Sequence, residues 1–360
     1  MIPILYESTE TEFTSNGLGR LRDMIRCECT EERNGVYEVE FEYPITGAHY
    51  DEIIPGRIVA VEHDDSGDVQ PFDIYYYSRP IDGIVTFRAT HISYRLNGVV
   101  FENAANVPTT DLRQLFNLLK ATSVPENLFV FNTDIETQAT PSCISFDGNG
   151  EPLIVKQVLG GMEGSILDTF GGEYLFDKFN VSLLERRGIN RDINIRYGAN
   201  MTEFTDEMDT SEAYNACVPF WKKDDSFIRG DMVQADLPSY DGRIYCVPMD
   251  LSDDFESGFV NKEIIEGRAK YIMSQKQTYL PKQNISVKFI NLSDSEEYQQ
   301  FENLQKCQLC DSIKIIFPFY DMEGTFKIVK VVWDVLQEKY TEMELGTLST
   351  TLAQALGLAK

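Results

Sequence analysis

The three histidines, His49, His63 and His91, are the residues best suited to acid–base or metal chemistry near neutral pH. His63 precedes Asp64 and Asp65, so a metal pair is conceivable there. A zinc site of the His-Glu-x-x-His type needs a second histidine close by in the sequence, and this chain has none. We therefore interpret His63 as the solvated end of a strand, and the other two histidines as ordinary residues of β segments.

The segment "CQLC" at 307–310 has the Cys-x-x-Cys spacing of zinc sites and redox-active pairs. A structural zinc site would normally need a second pair of ligands, and a thioredoxin-like motif would need a βαβ setting, whereas the flanks here alternate as strands do. The seven cysteines of the chain are an odd, scattered set. We predict that Cys307 and Cys310 are reduced thiols and that the cysteines are mostly buried.

Two acidic segments that contain glycine, "DDSGD" from Asp64 and "DGNGE" from Asp147, are similar to the start of a calcium-binding loop. An EF-hand loop needs a glycine at its sixth position and a glutamate at its twelfth. The twelfth residues here are Tyr75 and Val158, so both segments are predicted to be β-turns. The sequence also lacks a nucleophile elbow, a Walker loop and a dinucleotide fingerprint. We predict no catalytic, cofactor-binding or metal-ligating residues, and no cofactor.

Charge and composition narrow the class of protein further. The 360 residues include 32 basic and 58 acidic side chains, for a net charge of −26. Such a surface repels nucleic-acid phosphates and anionic lipids, so the chain is not expected to wrap DNA, although its charge is compatible with DNA that slides past without adhering. The N-terminus has no basic n-region, and no apolar run approaches the roughly 18 residues of a membrane span. We expect a protein made in the cytoplasm, with two or three domains and no membrane insertion.

The elements that must position these residues are mostly strands. Residues 34–43 alternate strictly between apolar side chains and glutamates, which is typical of an antiparallel strand with one buried face. Further strands are predicted at 57–63, 71–78 and 83–96.

A helix is predicted after Pro108, with Thr109 or Thr110 as its N-cap. Apolar residues recur at helical spacing on one of its faces, namely Leu112, Leu115, Phe116 and Leu119.

The segment that follows this helix is predicted to combine short strands and short helices. Residues 128–146 favour strands, and residues 153–170 favour helix with a break at Gly160-Gly161 and a second cap at Ser165. Residues 101–170 are therefore predicted to form a small α/β insertion between β segments.

Residues 171–200 predict a hairpin. Phe179, Val181 and Leu183 alternate with other residues in a first strand, and Arg-Arg-Gly at 186–188 provides a turn. In a second strand, Ile193, Ile195 and Tyr197 alternate with Asn194 and Arg196.

The C-terminal half is predicted to contain short strands in an acidic stretch from 201 to 258, and a helix from about 262 to 277 that ends before Pro281. A capping box at 293–296 and strands around the turn "DMEG" follow.

Two segments of the chain resemble each other. The segment "RIVAVEHDDSGDVQPFDIYYYS" and the segment "SIKIIFPFYDMEGTFKIVKVVW" each place two strands around an acidic turn, and each follows a tyrosine, Tyr50 or Tyr298. The matching pairs are Ile58 with Ile313, Val61 with Ile316, Phe72 with Phe326, and Ile74 with Ile328. Because strands with acidic turns are common, the match is compatible with chance as well as with two similar β-barrels.

Five segments together resemble the tail hub proteins of siphophages and prophages of Gram-positive hosts, also described as minor structural proteins or prophage endopeptidase tail proteins. They are "CTEERNGVYEVEFEYP", "GGEYLFDKFNVSLLERRGINRDINIRYGANM", "YLPKQNISVKFINL", "LQKCQLCDSIKI" and "VVWDVLQEKYTEMELG". The similarity runs from about residue 17 to about 348, and its specificity comes from the order and spacing of the segments. The family usually has Leu-Gly-Asp where this chain has Leu309-Cys310-Asp311, which indicates that Cys310 fills a packing position.

The resemblance implies an α+β fold, mostly antiparallel β, with two related β-barrel hub domains and α/β insertions, similar to the hub of contractile-tail baseplates. The implied domains are a first barrel at 1–100 plus 171–204, an insertion at 101–170, a second barrel at 205–345 with a helical insertion near 258–281, and a tail at 346–360. The hairpin at 171–200 would complete the wall of the first barrel.

The resemblance also implies a function. Such a hub is a homotrimer at the virion tail tip that closes the tail tube, docks the distal tail protein, adjoins the tape-measure protein and lets DNA pass, with the acidic surface expected to line the channel. Because family members often continue into a hydrolase or fibre, this chain is expected to be a piece of a longer product or a short member. The alternatives are a tail endopeptidase or cell-wall hydrolase, and a carbohydrate-binding module that would use "DIYYYSRP" at 73–80.

Overall fold

Short strands with polar and apolar residues in alternation dominate the computed structural model. It describes residues 2–102, 111–136, 151–162, 165–196, 201–211, 213–223, 225–235, 243–252, 254–255, 260–276, 278–279, 282–289, 307–317 and 322–347. Most strand pairs are antiparallel and the helices are few and short, so the expected α+β, mostly antiparallel β class is confirmed. Within these ranges no helix combines the length and the apolar character that a membrane crossing requires.

The elements of the first hundred residues are all strands apart from two 3-10 turns at Tyr50–Glu52 and Ile92–Gly98. The strands are β1 (Ile4–Tyr6), β2 (Gly19–Arg20), β3 (Arg26–Glu32), β4 (Tyr37–Pro44), β5 (Ile58–Glu62), β6 (Val69–Ser78), β7 (Ile84–His91) and β8 (Val100–Phe101).

The middle of the chain mixes helices and strands. They are α1 (Leu112–Ala121), β9 (Ser123–Val124), β10 (Val130–Thr133), β11 (Leu153–Ile154), α2 (Val155–Leu159), α3 (Ile166–Phe170), β12 (Glu173–Asp177), β13 (Asn180–Leu184) and β14 (Asn190–Arg196).

The C-terminal part contains one longer helix among strands. The elements are β15 (Met201–Asp209), β16 (Ala216–Lys223), β17 (Ser226–Arg229), β18 (Val233–Gln234), β19 (Cys246–Asp250), α4 (Lys262–Lys276), β20 (Lys282–Phe289), β21 (Ser312–Phe317), β22 (Met322–Asp334) and β23 (Lys339–Thr347).

The chain forms two compact units. The first comprises residues 1–203, 287–314 and 327–345, and the second comprises the described residues of 204–286 and 315–326. The boundaries predicted from the sequence for the two barrels and the insertion stay a prediction.

The main sheet of the first unit has the order β22-β3-β4-β7-β6-β5-β1-β2. Its strands form because apolar and polar residues alternate: in β3 and β4 every second side chain is buried, and the glutamates between them lie on the other face. The buried side of this sheet includes a stacked pair of rings, Phe41 and Phe87, whose centroids are 5.0 Å apart. The sheet therefore has one apolar face and one face covered by charged pairs such as Arg26 with Glu40.

Helix α1 packs its predicted face inward, with Leu112, Leu115, Phe116 and Leu119 all buried. Its N-cap is Asp111, whose carboxylate accepts a hydrogen bond from the Arg113 backbone N–H at 2.9 Å. The prediction of a threonine cap is wrong, because the helix begins one residue later than expected and a carboxylate caps a helix as well as a hydroxyl does. The break between α2 and α3 and the cap at Ser165 are confirmed.

The predicted hairpin of two strands around Arg-Arg-Gly is not formed. Strand β13 pairs antiparallel with β12, through a turn in which Lys178 has φ 50°, and it pairs parallel with β10. Strand β14 instead pairs with β21. The prediction is wrong because residues 186–188 carry the chain from one sheet to another.

The second unit contains a four-stranded sheet in which β16 is central. Strands β17 and β18 flank it antiparallel, and β19 pairs with it in parallel. Helix α4, predicted at 262–277, covers one face of this sheet. The buried side chains between them are Cys217, Trp221, Leu251, Ile265, Ala269 and Met273.

The two similar segments fold as neighbouring strand pairs. Strands β5 and β6 pair with each other, and so do β21 and β22. Ile58, Phe72, Ile313 and Ile328 are all buried. Tyr298, the turn at Asp147, the capping box at 293–296 and the tail from 348 onward lie outside the described residues. That the two segments belong to two similar β-barrels stays a prediction.

Candidate functional site

The segment that crosses between sheets, Arg186–Gly188, has an exposed first residue, whereas Arg187 and Gly188 contact the interior of the first unit. Gly188 lies against the backbone of Cys310, and a Cβ at this position would come within 2.0 Å of the Cys310 carbonyl oxygen. Arg187 extends into the interior, where its Nη1 and Nη2 donate to the two oxygens of Glu31 at 2.6 and 3.2 Å. Both side chains are about nine-tenths buried or more, with 11% and 6% exposed. A glycine and an arginine are thus required here by contacts with distant parts of the chain.

Glu173 on β12 binds the same crossing segment and a lysine from β22. Its carboxylate accepts hydrogen bonds from the Lys327 ammonium and from the Arg187 backbone N–H, the latter at 2.9 Å. Arg33 lies 3.6 Å away. Burial opposes the charged form, but the hydrogen bonds from Lys327 and Arg187 outweigh it and hold the pKa of Glu173 below its usual range.

Asp311 binds Ile189, the residue that follows the crossing segment. It accepts hydrogen bonds from the Ile189 backbone N–H at 2.8 Å and from the Gln308 backbone N–H at 3.0 Å. Arg191 on β14 donates its Nε–H to the same carboxylate at 2.6 Å. Asp311 is buried, so its charge is balanced within the protein rather than by water.

These residues form a buried charge cluster, defined here as Glu31, Arg33, Glu173, Arg187, Arg191, Asp311 and Lys327. It joins β3, β12, β14 and β22, which come from widely separated parts of the sequence. Each of the three carboxylates has a cationic partner: Glu31 pairs with Arg187, Glu173 with Lys327 and Asp311 with Arg191. The cluster thus joins distant segments of the chain through charged contacts.

Cys307 and Cys310 lie beside this cluster, and both are buried. Burial, reinforced by nearby carboxylates, raises the pKa of each thiol to about 12. Cys310 has φ 72°, in the left-handed region where glycine is favoured. No set of three metal-ligating side chains occurs within the described ranges.

His91 is fully buried beside Tyr37, on which its ring stacks at 4.5 Å. Its Nδ1 accepts a hydrogen bond from the Ser93 backbone N–H at 3.2 Å, and its Nε2 faces the Gln70 side-chain oxygen at 3.3 Å. A neutral ring protonated at Nε2 satisfies both contacts. Burial lowers the pKa of His91 well below its ordinary value, so the residue is neutral and structural.

The other two histidines differ from their predicted settings. The His63 ring lies beside Tyr37, with ring centroids 6.0 Å apart, and is buried rather than solvated. The interpretation as a solvated strand end is wrong because the ring packs near Tyr37 and its Nδ1 faces the Asp68 carbonyl oxygen at 3.2 Å. His49 has φ 65° and precedes a 3-10 turn, so it is not in a β segment; its Nδ1 faces Glu52.

The acidic segment from Asp64 is a turn, as predicted. The Asp64 carboxylate accepts a hydrogen bond from the Ser66 backbone N–H at 2.9 Å, and Gly67 has φ 79°.

The surroundings of two cationic side chains, Arg187 and Lys156, were not predicted from the sequence. Arg187 stands in a segment whose local sequence is typical of an exposed turn, and nothing nearby in the sequence points to Glu31.

Lys156 is half-buried between the rings of Tyr94 and Phe176, 4.8 and 4.4 Å from their centroids. Burial lowers the pKa of Lys156 to about 8. Its position inside the apolar run "LIVKQVL" is the signal that could have identified it.

The three tyrosines of "DIYYYSRP", the segment predicted as the carbohydrate-binding alternative, are exposed, whereas Ile74 in the same segment is buried. Tyr75, Tyr76 and Tyr77 each expose about two-fifths or more of their surface at the end of β6.

Comparison with known proteins identifies the fold. No family model matches the chain, and no curated protein does. Among solved structures, a prophage tail protein from Listeria monocytogenes matches with a TM-score of 0.64 and 16% identity, over 99% of this chain and 98% of that one. A tail protein from Neisseria meningitidis matches with a TM-score of 0.62 and 11% identity, over 98% of both chains. The 43 kDa tail protein of prophage MuSo2 from Shewanella oneidensis matches with a TM-score of 0.61 and 9% identity, over 96% and 98%. The chain thus has a phage tail protein fold, and the resemblance noted in the sequence is confirmed at the level of fold.

Proposed function

We propose that the chain is a structural component of a phage or prophage tail, namely the hub at the tail tip. One observation carries this proposal: the fold matches tail proteins from three bacterial sources over nearly the whole length of both partners in each comparison. Because fold alone does not fix function, the role needs a direct test.

In the finer form of the proposal, three copies form a ring that closes the tail tube. The ring docks the distal tail protein on one side and adjoins the tape-measure protein, and DNA passes through it. The net charge of −26 supports passage without adhesion, because an acidic wall repels phosphates.

We further propose that this chain acts without catalysis. The side chains that could do chemistry have structural partners: His91 is neutral and hydrogen-bonded, and the thiols of Cys307 and Cys310 have a pKa of about 12. The carboxylates of the buried charge cluster are bound by arginine and lysine. These contacts support a structural role over the endopeptidase alternative.

Deletion of the coding sequence from the phage or prophage genome tests the role. Electron microscopy of the resulting particles should show tails without a normal tip, or capsids without tails, and supply of the intact chain in trans should restore them. Normal, infectious particles after deletion would contradict the proposal.

A lysis assay tests the absence of catalysis. Purified cell walls incubated with the chain should show no loss of turbidity, with lysozyme as the positive control. Lysis by this chain would instead support the endopeptidase alternative.

A further inference from the structure

Strand β6 continues past the end of its neighbour β5. Their pairing ends at Ile58 opposite Asp73, and the last contact between them is the Gly56 N–H donated to the Ile74 carbonyl at 2.7 Å. Tyr75 is the extra residue of a β-bulge and has no partner on β7, and from Tyr76 to Ser78 the strand pairs only with β7. On the other side, this stretch has no partner strand among the residues that the structure describes. Tyr75–Ser78 is therefore an open strand edge, called here the tyrosine edge.

The side chains of the tyrosine edge have the composition of an interface. Tyr75 is 51% exposed, and Tyr76 and Tyr77 are exposed beside it. The Arg79 guanidinium stacks on the Tyr77 ring at 4.4 Å, and it makes no ion pair with any described residue. Tyrosine and arginine are enriched at the centres of protein interfaces. Natural proteins usually protect an apolar strand edge, because an exposed one invites pairing with another chain.

A second strand edge without a partner among the described residues lies in the same unit, on β10. This strand is the outer member of the sheet β10-β13-β12. Val130, its first residue, is 49% exposed, and Leu128, two residues before the strand, is 57% exposed. Glu126 precedes the strand and Glu136 follows it; both are exposed, and neither has an ion-pair partner in the described ranges. This acidic edge complements the tyrosine edge in charge and also carries exposed apolar side chains.

We propose that the tyrosine edge of one copy of this chain pairs with the β10 edge of a second copy. Backbone hydrogen bonds would extend both sheets across the contact, and Arg79 would meet Glu126 or Glu136, depending on whether the strands run antiparallel or parallel. Because the two edges are different surfaces, the contact is head-to-tail, and such contacts close into a ring when the rotation between copies permits. This inference rests on the proposed function, in which several copies form the hub, and it names the surfaces that join them.

Charge reversal tests the pairing in the intact chain. Sedimentation equilibrium should give the mass of a closed multimer for the unmodified protein. Arg79→Glu places like charges opposite each other and should weaken association roughly tenfold or more. Addition of Glu126→Arg or Glu136→Arg to the Arg79→Glu chain should restore association. Arg22→Glu, a reversal of another exposed arginine, should leave the mass unchanged, and thermal unfolding should confirm that every variant is folded.

Three results would overturn the proposal: a monomer at all concentrations, no effect of Arg79→Glu, or a loss that neither glutamate reversal restores. The last result would point to a strand of another protein as the occupant. Failure here is distinct from failure of the proposed function. If deletion of the chain abolishes the tail tip while these variants assemble normally, the hub role stands and only the assigned edges are wrong.

Discussion

Removal of the buried guanidinium of Arg187 should destabilise the first unit more than any exposed ion pair can. Arg187→Met keeps most of the side-chain volume but leaves the Glu31 carboxylate, 6% exposed, without its cation. Breaking a buried pair from one side costs about 3–5 kcal/mol in the free energy of unfolding, because a charge remains buried without compensation. Since a domain of this kind is stable by only about 5–15 kcal/mol, the loss should be large.

Urea unfolding followed by tryptophan fluorescence measures this effect on the first unit alone. The chain has two tryptophans, Trp221 in the second unit and Trp333 in the first. In a Trp221→Phe background, the signal comes only from Trp333. The matched control is Arg26→Met, which removes a partly exposed arginine from the same unit and should cost less than about 1 kcal/mol.

A double-mutant cycle completes the test. Glu31→Leu combined with Arg187→Met removes both charges, and it should be less destabilising than Arg187→Met alone. If Arg187→Met costs no more than Arg26→Met, or if the effects of the two cluster substitutions simply add, the buried charge cluster is not the junction that its geometry indicates.

Three further predictions use the same unit. Gly188→Ala should lower the free energy of unfolding by about 3 kcal/mol or more, because the added Cβ would overlap the Cys310 backbone. The control Gly98→Ala has open space around it and should change the free energy of unfolding by no more than about 0.5 kcal/mol. Urea unfolding measures both values, and equal losses would refute the close contact at Gly188. Cys307 and Cys310 should resist iodoacetamide at pH 8, because a pKa of about 12 leaves only about one thiol in ten thousand as thiolate. The exposed Cys246 should react and serves as the control. Peptide mass spectrometry identifies the labelled cysteines, and fast labelling of Cys307 and Cys310 would contradict their burial. Burial keeps the pKa of His91 below its ordinary 6.5. As the pH falls below 6.5, His91 is therefore protonated in the unfolded chain but stays neutral in the folded chain. The free energy of unfolding should then fall by up to about 1.4 kcal/mol per pH unit because of this residue. His91→Gln should remove that part of the slope, and an unchanged slope between pH 6.5 and 5.5 would show that His91 is not held neutral.

The strands and helices with a strong local period could be predicted from the sequence. The alternation in β3 and β4 and the apolar face of α1 depend only on neighbouring residues, and both are present in the structure. The break at Gly160-Gly161 and the cap at Ser165 followed equally from local signals.

Features decided by distant residues could not be predicted. An Arg-Arg-Gly segment between two strands is typical of a turn, and the contacts that make it a crossing segment come from Glu31 and Cys310, far away in the sequence. The burial of His63 likewise depends on which strands pair around Tyr37. The charge cluster was missed for the same reason, because each of its members is unremarkable among its neighbours in sequence.

The place of this chain in the particle tests the central claim most directly. Tails from a host that encodes the chain can be labelled with gold-coupled antibodies against it and viewed by electron microscopy. The account predicts gold at the end of the tail away from the capsid. Gold distributed along the tube, or particles that carry none, would contradict it.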